Sequence, residues 1–346
     1  MYLESMDLMY MKKIKVEDAI GQVLCHDMTQ IIKDVSKDAK FRKGHIVQEE
    51  DIPILLSMGK ETVYVWENDE TMMHENEAAE VLCSLCLNEN MKRSEVKEGK
   101  IEICSTIDGL FKIQSDKLRQ VNHLGEMMIA TRHSNTVVHP NDKLAGMRII
   151  PLVIKKEKME PVQRIEGPIF EIKPFQIKKA AIITTGSEVY KGRIKDTFTP
   201  VLIDKLKEYN VSVMYHKICD DNDEMVTQAI LEAIHQGAQF VLCTGGMSVD
   251  PDDKTPLAIK NTGANIITYG APVLPGAMFL LSYLKDVPIV GLPGCVMYAK
   301  RTIFDIMLPR ILAKDEIKKE EIYDLGEGGL CLNCKVCTYP NCGFGK

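Results

Sequence analysis

The segment Thr244-Gly245-Gly246-Met247-Ser248 is followed at once by Asp250, Asp252 and Asp253, which sets bare backbone beside acids. The apolar run Phe240-Val241-Leu242-Cys243 before it has the length and composition of a buried strand. A strand that ends in glycines and a hydroxyl residue offers unshielded amides at its carboxyl end, where ligands bind in parallel α/β sheets. The acids suit a divalent cation better than a phosphate directly. Amides for an anion beside carboxylates for a cation imply a phosphorylated ligand presented with Mg²⁺.

Two further segments share this grammar. Ala180 to Thr185 is a strand-like run followed by Gly186-Ser187-Glu188, then by Gly192, Asp196 and an amphipathic stretch carrying Leu202, Leu206 and Tyr209. Asp196 reads as an N-cap, and Pro200 falls in the first helical turn, where its missing N–H is tolerated. Val287 to Leu292 ends in Pro293-Gly294, and a long helical pattern is predicted from about Met297 to Leu312. Strand ends bearing glycine that alternate with helices predict an α/β fold with a doubly wound, mostly parallel sheet over residues 174–314. In such a sheet Glu188, Asp196 and Asp253 converge from three strand ends. Three carboxylates in one crevice repel each other, which a Mg²⁺ relieves.

Four motifs in order carry a resemblance: Thr185-Gly186-Ser187-Glu188, the Gly-x-Ile-x-Asp of 192–196, Thr244-Gly245-Gly246-Met247-Ser248 with Asp253, and Leu292-Pro293-Gly294. Together they resemble the molybdopterin-binding domain of molybdenum cofactor biosynthesis. The resemblance implies that Thr185, Gly186, Ser187, Thr244, Gly245, Gly246, Ser248, Pro293 and Gly294 bind molybdopterin, that Glu188, Asp196 and Asp253 serve catalysis, and that Asp250 and Asp253 hold Mg²⁺. A region of about 170 residues ahead of this domain is similar to the layout of molybdopterin molybdotransferases. The opening Val16-Glu17-Asp18-Ala19-Ile20-Gly21-Gln22-Val23-Leu24 resembles the start of that family. The activity so implied is Mg-dependent insertion of molybdate into adenylylated molybdopterin with release of AMP, in a homodimer. Two departures stand against it. The family's Pro-Pro-Phe segment is replaced by Lys40-Phe41-Arg42-Lys43-Gly44-His45-Ile46, and its Pro-Gly-Lys-Pro by Pro275-Gly276-Ala277-Met278. Without that lysine the alternative is a non-catalytic carrier or sensor of molybdopterin or the finished cofactor, serving a molybdoenzyme partner.

The whole chain reads as three parts: an atypical, mixed α+β region at 1–173, the α/β domain at 174–314, and a cysteine-rich tail at 315–346. Three prolines among charges make 155–174 read as the linker, and 121–140 as a helix followed by a loop. His216 and His235 follow apolar runs and read as edge residues. A length of 346 residues accommodates two or three cores. The net charge of −6 excludes the basic surface that nucleic-acid binding needs. No apolar run approaches the ~20 residues of a membrane span, and the first residues lack the basic and apolar regions of a signal peptide, so a cytoplasmic location is expected.

Eleven cysteines divide into two kinds. Seven are scattered, and Cys83 and Cys86 form a C-x-x-C whose apolar neighbours favour core packing over a redox role. The other four, Cys331, Cys334, Cys337 and Cys342, lie within twelve residues of a glycine-rich tail that offers no core of its own. Their C-x₂-C-x₂-C-x₄-C spacing is near an iron–sulfur run, and four thiolates also suit zinc; spacing alone decides neither.

Overall fold

The computed structural model describes residues 11–25, 27–32, 36–66, 71–247 and 253–346. They form two compact units, each built from three chain segments. The first takes the chain up to Cys104 with Gln114–Arg132 and Lys143–Phe170; the second takes Ser105–Ile113, His133–Asp142 and Glu171–Lys346.

In the first unit, strands Met11–Lys15, Thr62–Trp66 and Val23–Leu24 make an antiparallel sheet, and helix Asp51–Ser57 adds Leu55 to a core with Val16, Leu24, Val63 and Val65. His45 Nε2 lies 2.6 Å from Asp51 Oδ2 near the start of that helix. Helix Glu75–Cys86 buries Leu82, Cys83 and Cys86. Burial pushes both thiols above their ordinary range, so the C-x-x-C packs as apolar bulk rather than as a thiolate pair.

Two expectations for this region fail. The span 155–174 is not a linker, because it forms helix Lys156–Gln163, with Met159 and Val162 buried, and strand Phe170–Pro174. The span 121–140 is not helix then loop, because helix Ser115–His123 gives way to strands Met127–Thr131 and Thr136–Val138. The missed strands are short, and half-buried strands of three to five residues leave little periodicity to read.

The second unit carries the site. Its six-stranded sheet contains β1 (Lys179–Thr185), β2 (Ser212–Cys219), β3 (Phe240–Thr244), β4 (Asn265–Tyr269), β5 (Leu280–Leu284) and β6 (Val287–Leu292), in the order β2-β1-β3-β6-β5-β4. Pairings β1/β2, β1/β3 and β3/β6 are parallel, whereas β4/β5 and β5/β6 are antiparallel. Every residue of β3 is buried, as expected for a central strand covered on both faces. Its alternation is two-sided. Phe240 and Leu242 join a core with α1 (Phe198–Lys207) and α4 (Ile303–Leu312). Val241 and Cys243 join the opposite core with α2 (Asp223–His235) and α3 (Thr255–Asn261).

The helix expected from Met297 to Leu312 is divided. A turn, Cys295–Tyr298, is followed by an extended Thr302 that opens α4. Thr302 Oγ1 accepts from the Phe304 N–H at 3.2 Å, and Asp305 Oδ2 accepts from the Thr302 N–H at 2.8 Å. This reciprocal box satisfies two donors that a continuous helix would have satisfied internally. Thr302→Ala removes the hydroxyl half of it at a fully buried site. The expected loss is about 1–2 kcal/mol, read from the urea midpoint at constant slope.

The tail also departs from expectation. Phe344 is buried in the core shared by α1 and α4, and Cys331, Tyr339 and Cys342 pack against it. Among the described residues no helix is long and apolar enough to cross a membrane.

Candidate ligand site at the carboxyl ends of the central strands

Parallel register brings three strand ends level. Thr184 pairs with Thr244, and Thr244 with Leu292, so Thr185-Gly186, Gly245-Gly246 and Pro293-Gly294 emerge side by side. Gly245 has φ +82° and Gly246 φ +55°. A Cβ on Gly245 would lie 2.3 Å from the Thr185 carbonyl oxygen, so only glycine lets the two strand ends approach this closely.

Hydroxyls lock the turn. Thr185 Oγ1 donates to the Thr244 carbonyl at 2.9 Å and lies 3.2 Å from Thr255 Oγ1. Thr255 Oγ1 donates to the Gly245 carbonyl at 2.8 Å, and the Thr255 N–H reaches the Gly246 carbonyl at 3.3 Å. The carbonyls of residues 244–246 are therefore held by the protein at the head of α3. Thr244 Oγ1 differs. It is buried and has no hydrogen-bond partner among the described residues. A buried hydroxyl left unpaired costs about 1–3 kcal/mol, so a polar partner at this point would be stabilising.

Asp196 sits at the entry to α1. Its Oδ1 accepts from the N–H groups of Phe198 and Thr199 at 2.9 and 3.0 Å. Its Oδ2 accepts from the hydroxyls of Thr199 and Thr184 at 2.6 and 3.3 Å, with His216 Nε2 at 3.6 Å. Burial works to raise its pKa, but the hydroxyl, the two amides and the nearby imidazole outweigh that and hold it below its ordinary value. Four donors leave this carboxylate little capacity for a cation, so its position fits helix capping.

Ser187 faces a pair of acids beyond β2. Its N–H donates to Asp221 Oδ2 at 2.8 Å, and its hydroxyl donates to Asp220 Oδ1. Asp220 is held below its ordinary pKa first by that hydroxyl and then by the Asp221 N–H. Glu188 lies in the short helical turn Ser187–Tyr190 and is exposed. Asp253 is half-buried two residues before α3, and its charge adds to burial in raising the Tyr269 phenol. Tyr269 donates its hydroxyl to the Met247 carbonyl at 3.2 Å, across from the glycine turn.

The strand-end residues Thr185, Gly186, Thr244, Gly245, Gly246, Pro293 and Gly294 are thus gathered as neighbours. Ser248 and Asp250 lie outside the described residues. No group of three or more His, Cys, Asp or Glu among the described residues is arranged to hold one metal ion. Glu188, Asp196 and Asp253 accordingly form no three-carboxylate cluster, and Cys331, Cys334, Cys337 and Cys342 do not surround a single ion. Sequence reading missed Thr199, Asp220, Asp221 and Thr255. Asp220-Asp221 carried a usable signal, since they directly follow the carboxyl end of a parallel strand.

Residues 181–313 match the family described as "Probable molybdopterin binding domain". A separate family, described as "Domain of unknown function (DUF8806)", matches residues 13–67, where the opening was expected to be molybdotransferase-like. A Bacillus subtilis (strain 168) relative named "Putative competence-damage inducible protein" is 38% identical over 85 residues, which are 25% of this chain and 20% of that protein. The chain thus spans about a fifth of the length of the curated relatives it matches. Among solved structures, the protein CinA from Thermoplasma acidophilum is 20% identical with a TM-score of 0.33, covering 39% of this chain and 98% of that one. The tungsten cofactor synthesizing protein MoaB from Pyrococcus furiosus is 22% identical with a TM-score of 0.33, covering 40% and 96%. Residues 181–313 are thus similar to a molybdopterin-binding domain.

Proposed function

We propose that the strand-end crevice of the second unit binds molybdopterin through its terminal phosphate, and that the chain inserts molybdate into adenylylated molybdopterin with release of AMP and with Mg²⁺. The observation that carries this reading is the level register of the three strand ends, with Gly245 and Gly246 in left-handed backbone beside a Thr244 hydroxyl that has no hydrogen-bond partner among the described residues. Successive left-handed glycines turn amides toward one concavity, which suits a phosphate. Gly245, Gly246 and Ser248 are assigned to the phosphate, and Thr185 and Thr255 hold their turn in shape. In AMP release the phosphoanhydride bond breaks, an oxygen nucleophile joins phosphorus, and AMP leaves with the bonding electrons. Asp253 and Glu188 are the carboxylates assigned to take the nucleophile's proton, while Asp196 keeps α1 in place. The described residues alone do not make a Mg²⁺ site, so that part of the proposal rests on Asp253 together with Asp250.

One observation favours a second reading, a non-catalytic carrier: Ala277 stands in Pro275-Gly276-Ala277-Met278 where molybdotransferases carry lysine. A lysine there would supply a point charge for an incoming oxyanion, which alanine does not. AMP release from adenylylated molybdopterin, followed anaerobically by chromatography with the full chain, molybdate and Mg²⁺, separates the two. The transferase releases AMP only when molybdate and Mg²⁺ are both present, and Asp253→Asn lowers that rate about 100-fold or more with ligand binding retained. Tight binding without AMP release rejects the transferase.

A further inference from the structure

The strand-end site makes no use of the four tail cysteines, yet Cys331, Cys334, Cys337 and Cys342 all line one cavity of about 450 Å³. The tail is pinned along its length. Cys331 donates its N–H to the Leu274 carbonyl at 2.8 Å, and Leu274 donates its own to Gly329 at 2.8 Å. Lys300 Nζ donates to the carbonyls of Cys334 and Lys335 at 3.1 and 2.9 Å. Tyr339 donates its hydroxyl to the Asp305 carbonyl at 3.1 Å, with the Arg301 guanidinium 5.1 Å from its ring centre. Phe344 closes the segment as a buried anchor. All four thiols are free. Between the anchors, Leu332 and Val336 are each 77% exposed and Cys334 and Cys337 line the cavity at its exposed rim, so the middle of the loop has the most room to rearrange.

The geometry points to an iron–sulfur cluster of the [4Fe–4S] type bound by Cys331, Cys334, Cys337 and Cys342. Two candidates need four thiolates, and they ask for different spaces. Zinc draws its sulfurs to about 2.3 Å from one point and more often takes them as two separated pairs. No three of these thiols are grouped for a single ion among the described residues. A cubane is a body in itself, and its ligands stand apart around a volume, which is the arrangement of four thiols lining a shared cavity. Three ligands at C-x₂-C-x₂-C with one more distant also follow cluster usage more closely than paired zinc usage. Lys300 and Arg301 belong to the same cavity wall, where cations offset the negative charge of four thiolates. Pro275 and Leu330 give the cavity an apolar flank that limits water at the metal.

This inference stands apart from the molybdopterin reading, and its test needs no pterin. The full chain, reduced and held anaerobically, is incubated with ferrous and ferric iron in equal amounts and with sulfide, which matches the two ferrous and two ferric ions of the cluster, and is then desalted. The expected product retains about four irons and four labile sulfides per chain, absorbs broadly in the visible, and protects its tail thiols from alkylation. Cys334→Ser and Cys337→Ser, both at exposed positions, should each lower retained iron several-fold with an unchanged thermal melt of the metal-free chain. Cys104→Ser, outside the cavity, should leave iron content unaltered. One tightly held zinc per chain with no retained iron, a tail disulfide that forms in preference, or four thiols that alkylate freely after reconstitution would each overturn the assignment.

Discussion

Asp315→Ala should lower the unfolding free energy by about 3 kcal/mol, read from urea titrations at neutral pH. Asp315 is 5% exposed and receives three cations. Lys112 Nζ lies 2.8 Å from Oδ2, Lys173 Nζ 2.8 Å from Oδ1, and Arg310 donates through Nε at 2.8 Å. Removing the acceptor leaves Arg310, whose side chain is 4% exposed, with Glu321 as its remaining carboxylate at 3.0 Å. Breaking a buried pair costs about 3–5 kcal/mol because the other charge stays buried. The lower end applies here, since the side chains of Lys112 and Lys173 keep 20% and 27% exposure and can turn to water. Burial alone would raise the Asp315 carboxyl, but the lysine hydrogen bonds and the Arg310 charge outweigh it and hold the group below its ordinary range. A carboxyl depressed in the folded state contributes its stability in full above its unfolded pKa, and that contribution fades as pH falls through the folded value. The wild-type midpoint should therefore drop below about pH 4, where the variant's curve is flatter. A double change, Arg310→Met with Asp315→Leu, should recover most of the loss, because it removes both charges together.

Gly245→Ala has the second large effect expected. Its Cβ would meet the backbone oxygen of Thr185, which no rotamer change can move aside. The left-handed backbone adds roughly 1–2 kcal/mol, and forcing the contact adds about 1–3 more. The total, on the order of 3 kcal/mol, should appear in the urea midpoint together with loss of molybdopterin binding. Gly246 provides the contrast. Its Cβ would touch Thr255 Oγ1 at 3.0 Å, and φ +55° is a conformation that asparagine tolerates. Gly246→Asn should cost about 1 kcal/mol and retain the fold, which separates the turn's shape from its contacts. Equal losses in the two variants would reject the assignment of the clash to the strand-end approach.

Sequence displayed this site unevenly. The turn at 244–246 was legible because left-handed backbone leaves a mark in composition: glycine appears where nothing else fits. Strands β1, β3 and β6 were legible for a related reason, since burial on both faces demands unbroken apolar runs such as Phe240–Cys243. Asp196 was readable as a cap from its place before an amphipathic stretch, and its carboxylate accepts the α1 amides. Partnerships across the sheet were not readable. Ser187 meets Asp220 and Asp221 through the parallel pairing of β1 with β2, a contact 33 or 34 positions away that no local spacing announces. His216, read as an edge residue, does lie on the edge strand, yet its Nε2 comes within 3.2 Å of Thr184 and 3.1 Å of Thr199. The tail misled because glycine and cysteine together suggest a loop without a core. Phe344 and Tyr339 fasten that loop to a core which the rest of the unit had already built.

The interleaving of the two units carries a practical warning. Strand Gly109–Ile113 pairs with Thr136–Val138 on one side and with Phe170–Pro174 on the other, so the second unit borrows a ribbon from more than thirty residues upstream of its main body. Lys112, on the first of those strands, reaches Asp315 near the far end of the chain. A cut at 173/174 removes that ribbon together with nearly all of strand Phe170–Pro174, and it takes away Lys112 and Lys173, two of the three cations that hold Asp315. The piece left behind keeps every glycine of the binding turns but leaves the buried Asp315 with Arg310 as its remaining cation. Shuffling this binding domain between proteins by its visible motifs alone would therefore carry the lock without its hinge.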